Sequence, residues 1–196
     1  MDKCRECRKY QTKLFLKGQR CTTPKCSVTR RNYKPGIFGP KKTSSRKSEY
    51  GLQLLEKQKA KTEYGLRERQ FANLFNKAAS SRFSTQEELL SLLESRLDNV
   101  VYRLGWALSR RQARQIVSHR KIKINNSVVN IPSRILKAND IISTVEKEIK
   151  PVTDIKLPKW LKLDLKNNQA QFLGKPNRGD IESDLDEQLI VEFYSR

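Results

Sequence analysis

Apolar side chains recur along this chain in two different periods. Phe71, Leu74, Phe75 and Ala78 fall at i, i+3, i+4 and i+7, the single apolar stripe of a helix. Thr85 with Glu88 reads as a capping box that opens a further helix through Leu89, Leu90, Leu93, Leu97, Val101 and Leu104. Gly105 stands where that helix would stop. Ser109-Arg110-Arg111-Gln112 forms a second box, opening a short helix to about His119 whose inward face is Ala113, Ile116 and Val117. The period then changes to two. Lys121-Ile122-Lys123-Ile124, Asn125-Asn126 and Val128-Val129-Asn130-Ile131 read as strand, tight turn, strand, because Asn tolerates positive φ. Leu161, Leu163 and Leu165 alternate with Lys162, Asp164 and Lys166, and Ala170-Gln171-Phe172-Leu173 returns as the partner of a second hairpin. The tail from Asp186 to Tyr194 fits a short helix or a strand, and Asp186 as a cap favours the helix. Residues 1–47 hold few apolar groups, and Pro35-Gly36 and Gly39-Pro40 break them up. That stretch is expected to need a cofactor or bound RNA to order it.

Charge sharpens this division. The 196 residues carry 41 Lys+Arg against 21 Asp+Glu, a formal net charge of +20. Residues 1–50 hold 15 basic and 3 acidic groups, residues 51–150 hold 19 and 10, and residues 151–196 hold 7 and 8. A chain so unbalanced repels itself unless a polyanion is its partner, and nucleic acid is the commonest. The binding surface is therefore expected within the first 150 residues. An acidic membrane is the competing partner, but no run of about 18 apolar residues, lipidation signal, secretory signal or transit peptide is visible. A soluble, cytoplasmic protein with no membrane partner is expected.

Cysteine spacing adds a candidate metal site. Cys4 and Cys7 form a Cys-x-x-Cys pair, and Cys21 and Cys26 close the set across a loop of thirteen residues. Four thiolates so arranged suit a tetrahedral structural zinc ion. The neighbours Arg5, Arg8, Lys9, Arg20 and Lys25 favour the deprotonated form. An iron–sulfur cluster is the second-ranked occupant, and disulfides or free thiols are the plain alternative.

The remaining candidates are basic. Arg110, Arg111 and Arg114 cluster near a helix N-terminus, where planar guanidinium forks and the helix dipole both suit phosphate. A solvated basic face or intrahelical ion pairs would also explain them, yet no Asp or Glu lies between positions 99 and 139. In the N-terminal arm Arg30, Arg31, Lys41, Lys42, Arg46 and Lys47 are interleaved with Tyr33 and Phe38, the mixture of phosphate contacts and stacking that binds RNA. A disordered basic tail is the alternative there. Arg67, Arg69 and Gln70 are candidates to continue this face. His119, the only histidine, suits an RNA contact or a structural role equally. No phosphate-cradling Gly-rich loop, nucleophile set or paired carboxylates are present, so no enzymatic activity is expected. Arg96-Leu97-Asp98 is read as lying mid-helix, with Asp98 at a helix surface or interface.

Several of these motifs together resemble one family. Glu94-Ser95-Arg96-Leu97-Asp98-Asn99-Val100-Val101-Tyr102-Arg103-Leu104-Gly105, followed by Ser109-Arg110-Arg111-Gln112-Ala113-Arg114-Gln115, is similar to the signature of the S-four family of small-subunit ribosomal proteins. Gln58-Lys59, Tyr64-Gly65, Glu68-Arg69-Gln70-Phe71 and the ending Glu187 to Arg196 resemble the same family, and the cysteines resemble its metal-bearing branch. The likeness spans nearly the whole chain in order. It implies an α+β fold, with a mainly helical domain interrupted by a small helix–hairpin RNA-binding module and preceded by a metal-ordered basic arm. The implied limits are 1–47 for the knuckle and arm, 48–90 completed by 180–196 for the helical domain, and 91–179 for the module with its following hairpin. The implied role is that of a structural constituent of the bacterial small ribosomal subunit. Such a protein binds a helix junction in the 5′ domain of small-subunit rRNA and nucleates assembly of the subunit body. It also contacts neighbouring ribosomal proteins, and contributes to translational accuracy near where mRNA enters. Carried onto this chain, the RNA face of the module comprises Arg96, Arg103, Ser109, Arg110, Arg111, Gln112, Arg114 and Lys121. The chain departs from the family where Cys4 comes almost at once, where Arg120 replaces a frequent Gly, and where Asn125-Asn126 replaces Asn-Gly.

Overall fold

The computed structural model describes residues 3–37, 39–40, 47–146, 148–149, 151 and 157–195. In chain order the described residues form α1 (Lys3–Tyr10), α2 (Ser27–Arg30), α3 (Glu49–Glu63), α4 (Glu68–Ala79), α5 (Thr85–Glu94), α6 (Leu97–Arg103) and α7 (Arg110–Ser118). Strands β1 (Ile122–Ile124), β2 (Ser127–Val129), β3 (Ile141–Thr144), β4 (Leu161–Asp164) and β5 (Gln169–Phe172) follow, and α8 (Glu187–Tyr194) ends the fold. The chain divides into two compact units, one of Met1–Phe71 with Asp184–Arg196 and the other of Ala72–Ser183. This is the α+β architecture that the family resemblance implies.

In the first unit, α1, a 3-10 turn at Gly18–Cys21 and α2 bury Cys7, Leu14, Cys21 and Cys26. Ser27 Oγ donates to the Cys4 carbonyl at 3.3 Å and ties the two helices. Ser48 caps α3 by accepting from Gly51 N. The seam between α3 and α8 is unusually polar. Gln53 donates to Glu192 at 3.2 Å, and Lys59 donates to Glu56 at 2.8 Å and to the Asp184 carbonyl at 2.6 Å. Glu56 in turn accepts from Asp186 N. Each buried charge thus has a partner, as low-dielectric burial requires. The tail is a helix, and Asp186 caps it by accepting from Leu189 N.

The second unit packs α6 and α7 on one face of an antiparallel sheet of order β2-β1-β3-β5-β4. Its core holds Leu97, Val100, Val101, Ala113, Val117, Ile122, Ile124, Ile142, Trp160 and Phe172. Asn125 and Asn126 both take positive φ, 49° and 67°, as a two-residue hairpin turn demands. Central strand β3 is an addition to the two hairpins read from the sequence.

Two local expectations are corrected here. The capping box expected at Thr85 is displaced: Ser84 is the N-cap, without a side-chain cap bond, and Glu88 binds Lys175 at 2.6 Å. The long helix through Leu104 is broken at Ser95–Arg96, so Arg96-Leu97-Asp98 is a helix start and Asp98 is buried. The break is tertiary. Leu97 N and Asp98 N donate to the carbonyls of Arg134 and Pro132, and Leu136 N donates to Ser95 O. The segment around Ile135 thereby takes up backbone groups that a continuous helix would pair internally.

Candidate nucleic-acid interface and cysteine knuckle

The second unit presents its basic groups at the start of α7. Ser109 Oγ accepts from Gln112 N at 3.3 Å, and Gln112 Oε1 accepts from Leu108 N at 2.9 Å. This is a capping box shifted by one residue at its return bond. Ala113 and Val117 are fully buried, so the helix is pinned by its apolar side while Arg111 and Gln112 stay exposed. Arg114 is half-buried. At the other end, Arg120 N donates to Val117 O and Lys121 N to Ile116 O, with Arg120 at φ 60°. That is a left-handed helix termination built without glycine.

The arginines of the signature sequence separate into different roles. Arg110 Nε donates to Asn99 Oδ1 at 2.8 Å, and its guanidinium carbon lies 4.9 Å from the Tyr102 ring centre. Arg96 and Arg103 are each held by a carboxylate. Arg96 is 2% exposed and donates twice to Asp98, at 3.1 and 2.8 Å. Arg103 donates twice to Glu94, at 2.9 and 2.7 Å. Lys121 is paired with Glu146 at 2.9 Å. The absence of acids between positions 99 and 139 did not leave these groups without counter-charges. Their partners come from just outside that window, where the fold brings them in.

The first unit holds the other candidates. Arg30, Arg31, Lys47, Arg67 and Arg69 are exposed, and Gln70 accepts from Arg67 N at the start of α4. The Tyr33 ring is covered by Arg8, whose guanidinium carbon lies 4.6 Å from the ring centre and whose Nε donates to Tyr33 O. Lys41, Lys42, Arg46 and Phe38 lie outside the described residues.

The four cysteines share this unit. Among the described residues no group of three or more His, Cys, Asp or Glu side chains is arranged to hold a metal ion. Four sulfurs, three of them buried, are nevertheless the donor type that a structural zinc ion takes. Burial pushes the Cys7 thiol up, and the fields of Cys21, Cys4 and Cys26 push it the same way, while the Leu14 N–H opposes them. Burial also acts on Cys26, but bonds from Thr29 and Val28 outweigh it and lower its pKa. Lys17 N donates to Cys21 Sγ at 3.4 Å. Backbone N–H groups aimed at sulfur are the outer support that ligating thiolates use.

Sequence reasoning missed Glu94, Asn99 and Tyr102 as parts of the site. Asn99 Nδ2 donates to Glu94 O and Oε2 at 3.1 and 2.7 Å, so the carboxylate of wholly buried Glu94 is held by both Asn99 and Arg103. The available signal was an Asn within an apolar helix, where its side chain competes with the backbone and needs a reason to be present.

Comparison with known proteins places the chain. Residues 1–94 match the family model described as ribosomal protein S4/S9 N-terminal domain, and residues 95–142 match the S4 domain. The chain is 50% identical over 200 residues to small ribosomal subunit protein uS4 of Dictyoglomus turgidum, covering 98% of this chain and 96% of that protein. It is 46% identical over 202 residues to uS4 of Thermus thermophilus, with 98% and 96% covered. Against uS4 of Nitrosospira multiformis the identity is 45% over 203 residues, with 99% and 97% covered.

Proposed function

Because this chain belongs to the ribosomal protein S4 family, we propose that it is a structural component of the small ribosomal subunit that works by binding rRNA. The family is one of ribosomal structural proteins and not of enzymes. The observation that carries the reading is the start of α7, where a capped helix N-terminus coincides with Arg110, Arg111 and Arg114. Backbone N–H groups, dipole and guanidinium forks all favour phosphate there. The bacterial relatives imply a place in the ribosome of a bacterial cytoplasm.

The finer reading rests on the family resemblance of the sequence. The target is a helix junction in the 5′ domain of small-subunit rRNA, bound early enough to nucleate the subunit body. Neighbouring ribosomal proteins, and mRNA near where it enters, are the further partners. In the first unit, Cys4, Cys7, Cys21 and Cys26 would hold a zinc ion, with an iron–sulfur cluster as the alternative occupant. When bound, the metal supplies the cross-link that so small a knuckle lacks in apolar core.

Replacing Arg110, Arg111 and Arg114 together by Ala tests the RNA assignment against an rRNA junction and duplex DNA of equal length. Affinity for the junction is expected to fall far more than affinity for DNA. Unchanged junction affinity removes α7 from the interface. A small subunit purified without stoichiometric amounts of this protein refutes the ribosomal role itself. Metal analysis of the native protein beside Cys21→Ser tests the knuckle, with one zinc per chain expected in the native protein and loss in the variant.

A further inference from the structure

We infer that Asn99 and Tyr102 are positioning residues for rRNA binding, holding the Arg110 guanidinium in one plane at the N-terminus of α7. The inference rests on the assignment of α7 as an RNA-binding helix. Asn99 is 2% exposed and uncharged, so it cannot reach a phosphate itself. Its side-chain oxygen accepts from Arg110 Nε at 2.8 Å. Its orientation is settled by the other end of the amide, because Nδ2 donates to Glu94 O and to Glu94 Oε2. A flipped amide would set its oxygen against the Glu94 carboxylate.

Glu94 is in turn clamped by the two-pronged bond from Arg103. A continuous polar chain thus runs Arg103, Glu94, Asn99, Arg110, with donors and acceptors alternating. Tyr102 lies three residues beyond Asn99 on α6, so it faces the same side, and its ring lies 4.9 Å beneath the guanidinium carbon. A guanidinium fixed at Nε and on one face keeps its direction. Phosphate then meets a donor set whose ordering is already complete. Neither anchor alters the charge of Arg110, so each acts through geometry alone.

The test uses the full-length protein and its rRNA junction, with affinity measured across a range of potassium chloride concentrations. Asn99→Ala is expected to weaken binding roughly 3- to 10-fold, the effect of leaving one arginine to be ordered on binding. Because no charge is removed and the phosphate contact still forms, the slope of log affinity against log salt should stay near wild type, whereas Arg110→Ala should make it shallower by about 0.7–0.9. Added to Arg110→Lys, Asn99→Ala should have no further effect, because lysine has no Nε–H for the anchor to hold.

Tyr102→Leu keeps the apolar packing and removes the ring face, and should weaken binding in the same way. It decides the matter if Asn99→Ala does not fold. Wild-type affinity in the folded variants, or an equal loss from Asn99→Ala on the Arg110→Lys background, overturns the inference. Arg110→Ala with unchanged affinity overturns it too, whereas unchanged affinity on replacing Arg110, Arg111 and Arg114 together would instead overturn the α7 assignment, so the two failures are distinguishable.

Discussion

Arg120 sits at φ 60°, closing α7 in the left-handed conformation that a side chain resists. For an L-residue this region costs roughly 1–2 kcal/mol, which glycine's greater freedom in the unfolded chain offsets in part. Arg120→Gly is therefore expected to stabilise the protein by about 0.5–1 kcal/mol, measured by urea denaturation. A loss of stability would show that the arginine side chain holds something the backbone geometry does not reveal. The Asn125-Asn126 turn carries an opposite lesson. Asn125 Nδ2 donates to Asp140 at 2.8 Å, and Asn125 Oδ1 accepts from Ile141 N at 2.9 Å, so this side chain fastens the turn to the start of β3. Asn126 is exposed and sits at φ 67°. Asn126→Gly should be neutral or stabilising by up to about 1 kcal/mol, whereas Asn125→Gly should destabilise by about 1–3 kcal/mol. Equal effects at the two positions would refute this division of roles.

At the scale of elements, periodicity reveals those whose burial is one-sided and local. The stripe of Phe71, Leu74, Phe75 and Ala78 did become a buried helix face, and Ser109 did cap α7. Strand β3 was hidden because Ile141 and Ile142 stand among polar residues, and four residues are too few for an alternation to register. The break between α5 and α6 was hidden because the residues that cause it lie about forty positions away, at Pro132 to Leu136. The pairing of Arg96 with Asp98 and of Arg103 with Glu94 was missed for a different reason, since the acid-free window was counted only from position 99 onward. Glu68 shows an element junction with a measurable consequence. Burial raises its pKa, but hydrogen bonds from Lys57 at 2.6 Å and Lys61 at 2.8 Å outweigh that and hold it at about 2. A carboxylate depressed in the folded state contributes stability above its unfolded value near 4.5, and loses it as pH falls towards 2. Glu68→Gln should therefore lower stability at pH 7 and flatten the acid limb of a stability–pH curve between those values. Because the side chain is half exposed, solvent screens the pair and the effect is modest. An acid limb identical to wild type would exclude this contribution.

For the whole molecule, the two units differ in what holds them. The second unit closes its own core from Leu97 to Phe172, with large side chains such as Ile122, Ile142 and Phe172 fully buried. The knuckle of the first unit has Leu14 and three cysteines as its buried apolar groups, too little area to offset chain entropy in a segment of that length. If zinc supplies the difference, its removal should act locally. Cys21→Ser, or chelation of the native protein, is expected to raise hydrogen exchange at the amides of Lys3–Tyr10 and Ser27–Arg30 towards the unfolded rate. Amides of Ile122, Ile142 and Phe172 should keep their protection, since their strand partners and core neighbours belong to the second unit. Loss of protection in both places together would mean that the units unfold as one and that the knuckle is no separate metal-dependent element. Unchanged protection in α1 and α2 after chelation would mean that packing alone suffices, and would remove the energetic reason for a metal at these four cysteines.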